Sequence, residues 1–353
     1  MANQTTTVVS KRDRLARLLT AMGITRALEF ASRKPCLLVL TYHRIGDPAT
    51  AKYDSALYEA TAEAFSEQVQ LLQQLYHVVS LAEATELILH PSRLRHRHVL
   101  LTFDDGYRDN HDLALPVLKA HGATAVFFLP TSFIGTNRIP WWDQLADLVL
   151  RSTREVIHLQ YPERLTFYLP GNQRRVIRSL IRVYRSEAMK DPSRFWADVA
   201  NATGVEHRET VEERQFMTWD EARHMVKSGM DIGSHTHSHE LLAKQTREEQ
   251  MWECLESKRI IHQKLGLQVD SMAYPVGEPD CFSQVSMECV QQTGYRTAFS
   301  YMGGANLPEK MRPFSVQRVA VDHMHVDQFR LRKAMFAMGL QLDKSPVGGA
   351  FAD

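Results

Sequence analysis

Two short stretches hold residues whose types and spacing can do chemistry. "TFDDGYRDN" (102–110) sets Asp104 beside Asp105, with Gly106 next, directly after the apolar run "VLL". Adjacent carboxylates repel each other if both are ionised and buried, so the pair needs a metal ion, a basic partner or exposure to water. "GSHTHSHE" (233–240) supplies His235 and His239 at i, i+4. On a helical turn that spacing puts both imidazoles on one face, as metal ligands require. One carboxylate and two histidines leave coordination positions open for water and substrate, the arrangement of hydrolytic metal centres. A metal would neutralise one aspartate and leave the other free as a base. His237, between the two ligands, reads as a supporting or exposed residue.

The elements that must position these residues alternate along the chain. Apolar runs of strand length occur at 36–43, 98–103, 124–130, 230–235, 270–275 and 295–300, with helical patterns between them. Ser80 with Glu83, Thr218 with Glu221, and Thr246 with Glu249 make capping-box signatures that open helices. Strand–helix alternation implies parallel strands with right-handed crossovers. About seven such units are present, close to the eight of a closed barrel. In such folds functional residues collect at the C-terminal ends of strands. Asp104, Asp105, His43, His235, His239 and the segment "AYPVG" (273–277) all follow strand-like runs, so one rim collects them. Residues 140–215 break the rhythm and read as a mainly helical insertion. Trp141 and Trp142, at its start, either stack on sugar rings or anchor the insertion. His43 either lines the pocket or packs in the core, and Tyr274 with Pro275 shapes the wall of the site.

Composition bounds the function classes. The chain has 353 residues, 44% of them hydrophobic and 24% charged, with a formal net charge of +1. This is the balance of a globular protein and excludes a strongly basic nucleic-acid binder. Cys36, Cys254, Cys281 and Cys289 lack metal-knuckle spacing, which favours a reducing compartment. No apolar run is long enough to span a membrane. The first 35 residues read as an amphipathic segment, with Leu15, Leu18, Leu19 and Met22 at helical spacing. It either packs on the domain or lays Lys11, Arg12, Arg14 and Arg17 near lipid headgroups.

At these motifs the chain resembles the polysaccharide deacetylases, carbohydrate esterase family 4. "TFDDGY" is similar to the family's first motif, "HTHSH" to its second and "YPVG" to a variant of its third. The resemblance extends to "LTYHRI", "FFLPTSFIG" and "MTWDEARHMVKSGMDIGSHTHSH", and covers roughly residues 37–330. It implies a distorted (β/α) barrel of about seven parallel strands, here with the helical insertion. It also implies that Asp105, His235 and His239 bind a divalent metal and that Asp104 is the base acting on water. The backbone N–H of Tyr107 would help to hold the oxyanion. Two departures stand out. Ala273 lies near where the family's third motif carries an arginine that pairs with the catalytic aspartate; Arg108 and Arg318 are the candidate replacements. The family's Leu-x-x-His, source of the general acid, has no clean match, and "RVAVDHMHVDQF" offers His323 and His325 instead.

The expected organisation is an N-terminal helical segment (1–35), a barrel (36–335) with its insertion (140–215), and a tail (336–353). The expected function is hydrolysis of an N-acetyl group on an amino-sugar polymer, oligosaccharide or lipid-linked exopolysaccharide precursor. Zn2+ is the first choice of metal, with Co2+, Ni2+ and Mn2+ as alternatives. The alternative functions are a deformylase or amidase on a lipid-linked sugar or small amide, and a catalytically weakened, metal-containing carbohydrate-binding protein. The expected partner is carbohydrate and not nucleic acid. The expected location is cytoplasmic or peripheral at the inner membrane face.

Overall fold

The computed structural model describes residues 11–31, 34–322 and 324–337. Seven strands frame it: β1 (Cys36–Tyr42), β2 (Arg97–Phe103), β3 (Val126–Leu129), β4 (Asp231–Ser234), β5 (Ser271–Ala273), β6 (Thr297–Phe299) and β7 (Val319–Ala320). They lie in the order β7–β1–β2–β3–β4–β5–β6, and every neighbouring pair is parallel. The sheet curls into a half-barrel. Val316, just before β7, bridges Phe299 of β6 and so draws the two ends of the curl together.

The helices, in chain order, are α1 (Lys11–Ala21), α2 (Ile24–Ala31), α3 (Ala62–Leu75), α4 (Leu81–Leu89), α5 (Leu115–Ala120) and α6 (Trp141–Arg151). They continue as α7 (Gln173–Arg185), α8 (Pro192–Thr203), α9 (Trp219–Lys227), α10 (Arg247–Leu265), α11 (Gln284–Gln292) and α12 (Val326–Ala337). The capping boxes of α4, α9 and α10 form as their sequences dictate: each hydroxyl accepts the third residue's N–H while that residue's carboxylate returns the bond.

Strand β1, "CLLVLTY", is buried along its whole length because both faces of a parallel sheet are covered. Leu38, Leu40 and Tyr42 face the outer layer, while Leu37 and Val39 join Leu100, Val126, Phe128 and Phe299 inside the curl. Phe128 fills the interior so closely that a Cβ at Gly233 of β4 would lie 2.4 Å from its ring. Helix α4 sends Leu81, Ala84 and Ile88 into this inner cluster. The Leu81 N–H donates to Asp231, the first residue of β4, so α4 covers the N-terminal end of the strands. The C-terminal end is left for polar side chains.

Residues 140–215 hold α6, α7 and α8, together with an antiparallel pair, Val156–Leu159 with Leu165–Tyr168. The expected short strand in "RLTFYL" is present. Its partner, "VIHL", is too short a run to stand out, although Ile157 and Leu159 are buried and Val156 and His158 exposed. At the N-terminus, the single expected helix is two: Gly23, at φ 76°, breaks the chain between α1 and α2. Both pack against α12. Helix α12 continues past the expected start of the tail at 336, and residues 338–353 lie outside the described part.

Candidate active site

The rim assembles from the ends of four strands, β1, β2, β4 and β5. His43 follows β1, Asp104 and Asp105 follow β2, His235 and His239 follow β4, and Tyr274 and Pro275 follow β5. The Asp104 N–H still donates to the Tyr42 carbonyl at 2.9 Å, prolonging the ladder between β1 and β2. The backbone then turns sharply. Asp105 and Gly106 have φ of 70° and 68°, and a Cβ on Gly106 would lie 2.8 Å from side-chain atoms of Leu129 and Ile134. Only glycine takes the second position without strain, and aspartate is among the few side chains that tolerate the first. Because of this turn, the neighbouring carboxylates point to different partners.

Asp105 faces the histidines. Its Oδ1 lies 3.1 Å from His239 Nε2 and 3.5 Å from His235 Nε2. That oxygen is buried yet accepts no hydrogen bond among the described residues. His235 cannot donate to it. Its Nδ1 lies 2.8 Å from the Ala273 carbonyl, which can only accept, so Nδ1 carries the proton. Burial lowers the ring pKa to about 4 despite the nearby aspartates, so the ring is neutral and Nε2 presents a lone pair. A lone pair facing a carboxylate in a dry site is unfavourable unless a cation lies between them. Asp105, His235 and His239, all buried, offer one ligand atom each within 4.8 Å of one another. The donor set fits a divalent ion held by mixed nitrogen and oxygen ligands.

The i, i+4 spacing works through a loop and not through the helical turn expected from the sequence. Residues 235–240 form no helix; Thr236 and His239 take φ of 63° and 60°. Buried Glu253 of α10 holds the loop by accepting the N–H groups of His237 at 2.7 Å and Ser238 at 2.8 Å. His237 turns away from the ligand cluster and shares a 2.9 Å hydrogen bond with the Thr131 hydroxyl.

Asp104 faces the other way. Arg318, fully buried just before β7, donates from both terminal nitrogens to its two carboxylate oxygens, each at 2.7 Å. The guanidinium also donates to the Ser300 carbonyl at 3.1 Å, which fixes its plane. Burial pushes the Asp104 pKa up, but Arg318 and His235 outweigh it and hold the carboxyl below its ordinary range. Arg318 thus fills the place left by Ala273. Arg108, the other candidate, pairs with exposed Asp112.

His43 lies at the rim, with its Nδ1 2.7 Å from Glu59 Oε1. Glu59 is buried and also accepts the backbone N–H groups of His43 and Arg44. Burial opposes charge on the ring, but Glu59, Asp105 and Asp104 outweigh it and raise the pKa to about 9. His43 is therefore an imidazolium at neutral pH. Glu59 has no motif around it in the sequence.

The remaining predicted residues take varied places. Trp142 packs edge-on to the His239 ring at 4.6 Å, and Trp141 stacks on Tyr184 at 4.7 Å. Both are buried, so the insertion lies against the rim and supports the His239 ring. Tyr107 stacks its buried ring on Phe216, and its backbone continues the turn after Asp105 and Gly106. Tyr274, expected among the substrate contacts, is instead fully buried. It stacks on Phe282 at 4.2 Å and donates its hydroxyl to the Phe314 carbonyl, so it backs the wall without facing the groove. Pro275 is buried beside it. The His325 ring pairs with Asp327 at 3.2 Å, and the backbone N–H of His325 donates to Asp13 at 3.4 Å, so neither partner is Asp104 or a member of the Asp105–His235–His239 group. His323 lies outside the described residues. Another acid passed over in the sequence is buried Asp143, next to Trp142, whose pKa is pushed up to about 8 by burial against the pull of Arg44, with Asp54 and Asp105 adding to the rise.

Residues 92–159 and 165–298 match the polysaccharide deacetylase family model. The chain belongs to the polysaccharide deacetylase family. It is a hydrolase of carbohydrate esterase family 4, acting on N-acetyl amide bonds. The curated relative YxkH of Bacillus subtilis (strain 168) is 21% identical over 275 residues, 78% of this chain and 68% of that protein. Two solved structures share the fold. IcaB from Ammonifex degensii has a TM-score of 0.56 at 19% identity, covering 86% of this chain and 98% of its own. The Streptococcus pyogenes deacetylase PplD, solved in complex with acetate, has a TM-score of 0.54 at 17% identity, covering 85% and 98%.

Proposed function

We propose that this polysaccharide deacetylase removes the N-acetyl group from an amino sugar in a polymer, an oligosaccharide or a lipid-linked exopolysaccharide precursor, and that it does so with a divalent ion, Zn2+ first among the choices. The observation that carries the reading is the opposite orientation of two adjacent carboxylates. Asp104 is gripped by Arg318, and Asp105 faces two imidazole nitrogens. Asp105, His235 and His239 would hold the ion, which when bound supplies Lewis acidity toward the amide carbonyl and a binding point for water.

The protein's own groups do the rest. Asp104, kept ionised by Arg318, takes the proton from the attacking water as its oxygen bonds to the amide carbon. The Tyr107 backbone N–H donates to the oxyanion. His43, kept protonated by Glu59, gives its proton to the departing amine nitrogen as the C–N bond breaks. His43 thereby takes the role that His323 and His325 were expected to fill. The reading as a weakened binding protein rests on two absences, the third-motif arginine and the Leu-x-x-His; the Arg318 pair with Asp104 argues against the first. An acetate-release assay across N-acetylated oligosaccharides, with metal analysis of the purified protein, tests the proposal. Acetate release that depends on bound metal is the expected result. Release of formate alone would move the reading to the deformylase.

A further inference from the structure

We infer that the outer face of α1 and α2 docks on an anionic lipid surface. Thirteen large apolar side chains stand well exposed among the described residues, and five of them fall within residues 15–30: Leu15, Leu18, Met22, Ile24 and Phe30. Exposure runs from 55% for Leu15 to 67% for Phe30, with only Ile24 lower. Leu15 and Leu18 of α1 and Met22, in the turn just after it, recur at i, i+3, i+7 and so share one side. Both helices pack on α12, where Ala16, Thr25 and Glu29 are buried and Glu29 accepts from Arg330.

Charge is sorted between these two sides. Residues 13–31 contain two acids, and both are turned inward: Asp13 accepts the His325 N–H, and Glu29 takes the Arg330 guanidinium. The cations Arg14, Arg17 and Arg26 are exposed on the outer side. An apolar stripe flanked only by cations matches the acyl boundary and the negative headgroups of an anionic membrane. A second copy of the chain would bring the same arginines against each other, so charge disfavours self-association there.

The inference stands apart from the catalytic reading. It is tested with the full chain by co-sedimentation with vesicles of phosphatidylcholine, alone or mixed with phosphatidylglycerol. Partition onto the mixed vesicles should exceed that onto phosphatidylcholine about tenfold at low salt and fall as salt rises. Leu18→Glu with Phe30→Glu should reduce it by about tenfold or more, and so should Arg14→Gln with Arg17→Gln. Hydrolysis of a soluble oligosaccharide should be unchanged in both variants. Equal partition onto both vesicles, or variants that bind like the parent, would overturn the inference. So would a dimer in sedimentation that Leu18→Glu dissociates, since the face would then join two copies.

Discussion

Arg318 holds both carboxylate oxygens of Asp104 at 2.7 Å across a sequence separation of 214 residues. It arrives from the residue just before the last strand of the curl, on the far side of β1 from β2. The pair is fully buried, so each charge depends on the other.

Replacing Arg318 by Met should therefore act on both activity and stability. Asp104 would lose the guanidinium that lowers its pKa, so the acid limb of the rate profile should move to higher pH. Turnover at pH 7 should fall by about 100-fold or more and recover in part as pH rises. An unpaired buried carboxylate should cost about 3–5 kcal/mol in denaturant unfolding. Arg318→Lys, which keeps the charge and loses the two-pronged grip, should fall between.

The second prediction concerns His43 and Glu59. A proton donor with a pKa of about 9 should keep turnover high through neutral pH and lose it above that value as the ring deprotonates. Glu59→Gln removes a carboxylate that raises the ring pKa, so the alkaline limb should move down toward the ordinary imidazole value of about 6.5. A profile unchanged by Glu59→Gln would remove His43 from the proton-donating role.

A third expectation concerns the metal group. His235→Ala with His239→Ala leaves one ligand, Asp105, and should abolish binding of a divalent ion, measured by elemental analysis. Glu253→Gln should weaken binding more mildly, since it loosens the loop whose N–H groups it accepts. A stoichiometric ion in the double variant would contradict the ligand assignment.

Much of this site was legible in the sequence for a physical reason. The two aspartates and two histidines follow long apolar runs, and parallel strands bring such ends to one rim. The capping boxes were legible because they are local. What failed to show were contacts between distant, short elements. Strand β7 is two residues long, and its neighbour Arg318 has no local sign that it faces Asp104. The segment after it looked instead like a source of catalytic histidines. Glu59 sits in a three-residue strand, Tyr58–Ala60, whose meaning comes only from His43 across the turn. The i, i+4 histidines suggested a helical turn, whereas positive φ at Thr236 and His239 brings the same two rings together in a loop. Tyr274 looked like a wall residue from its place after β5, but side-chain alternation sends its ring outward to Phe282.

The most direct test compares metal content and turnover of Asp104→Asn and Asp105→Asn side by side. Asp104→Asn is nearly isosteric and cannot take a proton from water, so turnover should fall by about 100-fold or more while the bound ion stays. Asp105→Asn should lose the ion at ordinary concentrations and regain part of its activity when metal is added in excess. An Asp104→Asn protein that loses its ion while Asp105→Asn keeps it would reverse the two roles and contradict the account.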